Sequence, residues 1–89
     1  MHFVWHRKKA EANLRKHKVA FEEAVSVFYD PLSATFRDPH AVSGEERFVT
    51  IGHSSRQRLL VVVHAEEDER IRVISARPAT VHERKRHEN

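Results

Sequence analysis

The spacing of hydrophobic residues in the N-terminal third of the chain predicts two helices. Within residues 7–17, Ala10 and Leu14 lie four positions apart and therefore on one helical face. The apolar positions of the next segment follow an i, i+3, i+4, i+7 pattern: Phe21, Ala24, Val25 and Phe28. That pattern is typical of an amphipathic helix. Asp30-Pro31 ends it, because proline cannot continue the helical hydrogen bonds and restrains the residue before it.

After Pro31 the pattern becomes that of short strands. Residues 47–54, 58–65 and 70–76 are rich in β-branched and aliphatic side chains, and short polar segments join them. Such a succession predicts an antiparallel meander. Residues 34–37 predict one more short strand, and the apolar residues 3–5 predict an edge strand.

Turn and helix-capping signals complete the reading of the chain. Turn residues occur at positions 38–40 and 43–44. Thr80 and Glu83 have the spacing of a capping box and predict a short basic helix that ends near His87. The predicted fold class is α+β: two N-terminal helices, a twisted antiparallel sheet of three to four strands and a short C-terminal helix. We expect the helices to cover one face of that sheet.

Length and composition exclude several classes of protein. The 89 residues are enough for one domain, residues 1–89. Two glycines are too few for a P-loop or a dinucleotide-binding motif, and the lack of cysteine excludes disulfides and thiolate chemistry. Neither a zinc-binding spacing nor a nucleophile elbow occurs, so we expect no metal site and no cofactor. The longest apolar run, residues 59–63, cannot span a bilayer, and the N-terminus lacks an apolar signal core. We therefore expect a cytoplasmic protein with no membrane partner.

Charge is distributed unevenly along the chain, although the net charge is only +3. Residues 7–18 contain six lysines and arginines and a single acid, Glu11. Residues 66–69, in contrast, are four consecutive acids, and Arg70 follows them. Residues 84–86 are all basic. This segregation favours an anionic partner at one surface. The alternative is that these charges are solvated helix faces.

Strand pairing predicts a cluster of basic side chains at one end of the sheet. With the shortest turns between the strands, His53 lies opposite Arg58, and Arg58 lies opposite Arg77, all on one face. Three such side chains would repel one another unless an anion lay among them. The alternative is that each arginine turns to solvent or pairs with a carboxylate such as Glu83. Both faces of the predicted sheet are largely apolar, so we expect a partner chain to cover one of them.

An ordered set of segments resembles a known family. The segments are FVW (3–5), NLRKH (13–17), VAFEEA (19–24), DP (30–31), ERFVTIG (46–52), RLLVVVH (58–64), RIRVISAR (70–77), AT (79–80) and ER (83–84). Together they resemble the BrnT toxin family of type II toxin–antitoxin systems. The resemblance implies a RelE-like ribonuclease fold that cleaves RNA, free or ribosome-bound, without a metal. It also implies inhibition of translation and growth, a cognate BrnA-type antitoxin, and contact with operator DNA only through that antitoxin.

Metal-free RNA cleavage uses the adjacent 2′-OH as nucleophile, and it needs phosphate binding and proton transfer. We hypothesise that Arg77 and Arg58 bind the phosphate, because a guanidinium can hold two of its oxygens. His53 would carry the proton, and Glu83 would orient Arg77 or act as base. Three further arginines would bind flanking phosphates: Arg56, Arg72 and Arg84.

The chain also departs from the family pattern. His6 stands in place of an acid, and Lys18 stands where a glycine usually ends the first helix in a left-handed conformation. Glu67 and Asp68 replace an arginine and a glycine, and His87 replaces a tyrosine. The alternative function is a catalytically inert homologue that serves as a protein-binding module or as a co-repressor with its antitoxin. A DNA-binding protein in its own right is disfavoured, because no helix-turn-helix or zinc-finger pattern occurs.

Overall fold

A computed structural model of the protein describes residues 1–41 and 46–88. Within them, five strands and three helices follow one another along the chain. The strands are β1 (His2–Val4), β2 (Ala34–Arg37), β3 (Arg47–His53), β4 (Leu59–Glu67) and β5 (Arg70–Pro78). The helices are α1 (Arg7–His17), α2 (Phe21–Ser26) and α3 (Val81–Glu88), and a 3₁₀ turn, Val27–Tyr29, extends α2. The turn predicted at residues 43–44 lies outside the described residues.

The α+β class and the order of elements agree with the prediction, but the sheet differs from it. Its strand order is β1-β5-β4-β3-β2, so five strands are present rather than three to four. β1 pairs with β5 in parallel, whereas the other neighbours are antiparallel. The sheet is therefore mixed, because the N-terminal strand returns to pair with the last strand rather than with its neighbour in sequence.

The main hydrophobic core lies between the sheet and helices α1 and α2. It consists of fully buried residues from both layers: Val19, Phe21, Ala24, Val27, Leu60, Val62, Val73 and Ala76. Asn13 ties α1 to β5, since its amide donates to the carbonyl oxygens of Val19 and Ala76 at 2.9 Å each and accepts from the Ala76 N–H. Lys18 ends α1 in the left-handed conformation (φ 60°), as expected, and its N–H donates to Leu14.

The other face of the sheet has a smaller hydrophobic cluster. Ile51, Leu59 and Val61 are buried there, with Val49 and Ala79 packed against them. Side chains of α3 line a groove over this second face. The prediction that all the helices share one face was therefore wrong. The chain turns at Ala79-Thr80 as it leaves β5, and this brings α3 to the side opposite α1 and α2.

The register between strands also differs from the prediction. His53 pairs with Leu59, since the β3–β4 loop has three residues between the hydrogen-bonded Ser54 and Arg58, and the last of them, Gln57, is left-handed (φ 64°). Arg77 pairs with Val61 rather than with Arg58. A bulge between Val63 and His64 adds to this shift. Arg58 consequently leaves the face that His53 and Arg77 share.

Candidate active site

A groove of about 770 Å³ opens between α3 and the second face of the sheet. Its floor is apolar and includes Val49, Ile51 and Val61. Polar side chains of α3, of β5 and of the segment after β2 surround this floor: Asp38, His40, Arg77, His82, Glu83, Arg86 and His87. The groove therefore combines cations, imidazoles and two carboxylates above a hydrophobic base, an arrangement suited to an anionic substrate with planar apolar parts.

Arg77 and Glu83 form an ion pair at the edge of this groove. Both terminal nitrogens of Arg77 donate to the two carboxylate oxygens of Glu83, at 2.8 Å each. The Thr80 N–H donates to Glu83, and the Glu83 N–H donates to the Thr80 hydroxyl, so the predicted capping box is present. The hydrogen bonds from Arg77 are the main cause that lowers the pKa of Glu83 to about 2. The sequence-based alternative, in which Arg77 pairs with Glu83, thus matches the contact that the structure contains.

His53 lies on the same face as Arg77 and is held by Asp30. The His53 backbone N–H donates to Oδ2 of Asp30 at 2.7 Å, and the same oxygen is 3.6 Å from Nδ1 of the ring. The backbone N–H of His53, followed by that of Leu32, lowers the pKa of Asp30. The His53 ring also lies near the ring of His87, with ring centroids 6.2 Å apart. His53 is therefore positioned by a carboxylate and adjoins a second imidazole.

Arg58 lies away from the groove, which corrects the predicted cluster of three. Its guanidinium donates to both carboxylate oxygens of Glu23 on α2, at 2.9 and 2.6 Å, and to the Lys18 carbonyl oxygen at 3.0 Å. The Ser54 hydroxyl donates to the same carboxylate at 2.7 Å. These contacts, those from Arg58 first, lower the pKa of Glu23 against the opposing effect of burial. The prediction misplaced Arg58 because the β3–β4 loop has three residues between Ser54 and Arg58 rather than two between Ser54 and Gln57.

The three arginines expected to bind flanking phosphates are widely separated. Arg56 is exposed in the β3–β4 loop. Arg72, on β5, donates to Glu67 at 3.3 Å, and Arg84, on α3, lies 3.8 Å from Glu88. Of the part of the chain that the structure describes, none of these three lines the groove. Their role in binding RNA stays a prediction.

Sequence reasoning missed several residues that line the groove or contact His53. His82 and Arg86 are four positions apart, a spacing that places both on one face of a helix, and this signal was present in the sequence. His87 was seen only as a departure from the family pattern, and Asp30 only as the end of a helix. The contact between Asp30 and His53 joins residues 23 positions apart in the sequence, so no local pattern could have shown it.

Two further properties bear on the kind of site. Over residues 1–41 and 46–88, no group of three or more His, Asp or Glu side chains is placed to hold a metal ion. Within the same residues, no helix has the length and apolar character needed to cross a membrane.

Comparisons with known proteins identify the family. A family model described as "Ribonuclease toxin, BrnT, of type II toxin-antitoxin system" matches residues 5–83. The 1.1 Å crystal structure of the Brucella abortus ribonuclease toxin, BrnT, is similar, with a TM-score of 0.64 and 23% sequence identity. That alignment covers 90% of this chain and 97% of the Brucella chain, and it supports the fold. A comparison with curated protein sequences found no match. With nearly its whole length matched by the family model, this chain belongs to the BrnT family of ribonuclease toxins of type II toxin–antitoxin systems.

Proposed function

We propose that this chain is an endoribonuclease toxin that cleaves RNA in the groove between α3 and the sheet, through the 2′-OH and without a metal ion. The observation that carries the proposal is the composition of that groove, where Arg77, Arg86, Glu83 and imidazoles surround an apolar floor. Guanidinium groups bind and neutralise a phosphate, imidazoles transfer protons near neutral pH, and apolar surface accepts bases. These are the groups that a metal-free cleavage requires.

Arg77 is the proposed phosphate-binding residue. A guanidinium has five N–H donors; Glu83 receives one from each terminal nitrogen of Arg77, and the Pro78 carbonyl oxygen receives a third at 3.3 Å. Donors therefore remain for a phosphate while Glu83 holds the side chain in place. In this arrangement Glu83 orients Arg77. Removing one such donor from a transition state typically reduces the rate by roughly 10²–10³-fold.

His53 is the proposed proton carrier, as the sequence analysis assigned it. Its contact with Asp30 and its place on the Arg77 face support this role. Arg58 is a weaker candidate for the phosphate, because Glu23 and Lys18 occupy its guanidinium on the other side of the sheet. We assign it instead to holding α2 against the β3–β4 loop.

We further propose that the toxin acts on cytoplasmic RNA, that it inhibits translation and growth, and that a cognate BrnA-type antitoxin neutralises it. The toxin would reach operator DNA only through this antitoxin. Several large apolar side chains around the groove and the edge strand β2 are strongly exposed, Leu32 at 76%, Phe36 at 52% and Val81 at 70%. An exposed apolar surface of this kind favours a protein partner.

A catalytically inert homologue is the second candidate, and one observation favours it. Both arginines first assigned to the phosphate already have carboxylate partners, Arg77 with Glu83 and Arg58 with Glu23. In an inert homologue these pairs would serve stability alone. The chain would then bind its antitoxin without cleaving RNA.

The deciding experiment measures RNA cleavage by the purified chain, with and without ribosomes and with and without EDTA. We expect cleavage that survives EDTA and leaves 2′,3′-cyclic phosphate or 3′-phosphate ends. Expression alone should arrest bacterial growth, and co-expression of the adjacent antitoxin gene should restore it. Loss of cleavage with EDTA and its recovery with a divalent ion would refute the mechanism. Normal growth on expression, together with an absence of cleavage under both conditions, would favour the inert homologue.

A further inference from the structure

The imidazole of His87, which lines the groove, lies beside the imidazole of His53. The ring centroids of His53, at the end of β3, and His87, in the last turn of α3, are 6.2 Å apart, and the rings are inclined at 56°. We propose that His53 and His87 are the base and the acid of the cleavage reaction and that Asp30 is the residue that positions His53. This proposal rests on the proposed ribonuclease function and names the groups that transfer its protons.

The two rings are close enough to contact one phosphodiester that lies across their edges. Proton transfer requires a nitrogen within about 2.6–3.2 Å of the reacting oxygen. Rings 6.2 Å apart leave no room for a phosphate directly between them, but a phosphate across their edges can present a different oxygen to each. Arg77 and Arg86 line the adjoining groove and would neutralise its charge.

Asp30 is placed to orient the ring of His53. Its carboxylate accepts the His53 backbone N–H and lies 3.6 Å from Nδ1, while Oδ1 accepts the Leu32 N–H at 2.9 Å. A carboxylate beside Nδ1 favours the tautomer with the proton on that nitrogen, which leaves Nε2 free to accept one. The Asp30 side chain is 12% exposed and that of His53 is 39% exposed, so solvent reaches the contact from the His53 side.

Gly52 permits this contact. A Cβ atom at position 52 would lie 2.8 Å from Cβ of Ser33, 3.0 Å from Cγ1 of Val27 and 3.2 Å from Oδ2 of Asp30. Any larger residue would push the Asp30 segment away from β3. A glycine next to His53 therefore allows the carboxylate to approach its ring.

His87 is placed to act as the acid. It is half-buried, it lines the groove, and it lies in the last turn of an eight-residue helix. The Asp30 carboxylate lies within electrostatic range of His87, and Arg86 is the neighbouring cation on α3.

The proposed step balances in atoms and protons. Nε2 of His53 takes the 2′-OH proton as the bond between O2′ and phosphorus forms. The bond between phosphorus and O5′ breaks, and His87 gives its proton to O5′. The products are a 2′,3′-cyclic phosphate and a free 5′-OH. One imidazole has then gained a proton and the other has lost one, so solvent exchange restores both.

The test compares two RNA oligonucleotides that contain the cleavage site mapped for the wild-type chain. One has the natural 5′-oxygen at the scissile bond, and the other has a bridging 5′-sulfur. Sulfur leaves as a thiolate and needs no proton, because a thiol is far more acidic than an alcohol. We expect His87→Ala to lose roughly 10²–10⁴-fold in rate on the oxygen substrate and to approach the wild-type rate on the sulfur substrate. His53→Ala should be slow on both.

Asp30→Asn should behave as a weaker form of His53→Ala, with kcat reduced on both substrates and KM little changed. A purely structural Asp30 would lower the melting temperature and leave the rate per folded molecule unchanged. His6→Ala is the matched control, because His6 is exposed and makes no capping hydrogen bond. His87 lies at the surface end of α3, so His87→Ala keeps the test valid even where Asp30→Asn does not fold.

The outcomes separate the two proposals. Cleavage by the wild-type chain with full activity of His87→Ala on the oxygen substrate would overturn the acid–base pair and leave the ribonuclease function standing. Equal loss by His87→Ala on both substrates would also overturn the assignment of His87 as the acid. Failure of the wild-type chain to cleave either substrate, with or without ribosomes, would overturn the proposed function and the pair with it.

Discussion

Arg77, near the end of β5, and Glu83, in the first turn of α3, are joined by two hydrogen bonds of 2.8 Å. The pair joins α3 to the end of β5, and both of its residues line the groove. One contact thus serves the fold and the proposed site together. The two roles can be separated by measuring stability and activity on the same preparation.

Arg77→Ala should remove cleavage while largely preserving the fold. The Arg77 side chain is 39% exposed, so the ion pair contributes only about 0.5–1 kcal/mol to the free energy of unfolding. Loss of its phosphate contact should reduce the rate per folded molecule roughly 10²–10³-fold. Arg77→Lys should restore the activity only in part, since lysine keeps the charge and loses the two-pronged geometry. A lower melting temperature with unchanged specific activity would restrict Arg77 to a structural role.

Arg58→Ala should destabilise the fold far more than Arg77→Ala does. It would leave the carboxylate of Glu23, only 6% exposed, without its main partner. We expect the free energy of unfolding, measured with denaturant, to fall by about 2–3 kcal/mol. This is less than the loss typical of breaking a fully buried ion pair, because Arg58 is one-third exposed. The double variant Arg58→Ala/Glu23→Gln should recover part of this loss. A stable Arg58→Ala variant without activity would return Arg58 to the list of catalytic residues.

His64 should make the protein less stable as the pH falls from about 6.5 to 4. The ring is buried between Phe28 and Phe48, at centroid distances of 4.8 and 6.0 Å, and burial lowers its pKa from 6.5 to about 4. The unfolded chain takes up a proton at this position over that window and the folded chain does not, so acid favours unfolding. The full effect is roughly 3 kcal/mol.

The variant His64→Leu isolates this contribution. It removes the titrating ring, although the Thr50 hydroxyl then loses a 2.7 Å hydrogen bond and keeps its contact with Thr35. Melting temperatures of the variant and the wild type should converge, or cross, as the pH falls from 6.5 to 4. A constant difference across that window would show that His64 does not titrate in the native fold.

Glu69→Gly should stabilise the protein by about 1 kcal/mol, because a residue with a Cβ atom is strained in the left-handed backbone conformation and glycine is not. Asp68 and Glu69 form the two-residue β4–β5 turn, and both have positive φ, 46° and 66°. Such turns strongly favour glycine at their second position. Glu66→Gly, in the exposed part of β4, is the control and should destabilise the strand. If both substitutions lower the melting temperature, the turn does not store this strain.

Much of the architecture could be predicted from local pattern. The bounds of α1, the left-handed end at Lys18 and the Thr80–Glu83 capping box depend on residues within one or two turns of one another. The strands between residues 47 and 78 follow from runs of β-branched and aliphatic side chains. The family resemblance was likewise contained in the order and spacing of short segments, and the match over residues 5–83 confirms it.

The register and the site depended on contacts that no local pattern encodes. A hairpin with three loop residues instead of two, together with one bulge, changes which side chains share a face. Arg58 therefore lies against Glu23, while His53 and Arg77 stay together. The pairing of β1 with β5 joins the two ends of the chain, and the contacts of Asp30 with His53 and of His53 with His87 each join separate elements.

The sequence by itself determined the class of fold, the order of its elements and the family, because these follow from periodicity, capping and spacing along the chain. Only the tertiary structure decided which charged side chains face the groove and which are neutralised elsewhere. The physical reason is that side chains alternate between the two faces of a strand, so a shift of one residue in pairing transfers a side chain to the opposite face. The position of α3 on the second face, set by the turn at Ala79-Thr80 and the Arg77–Glu83 pair, then completed the groove.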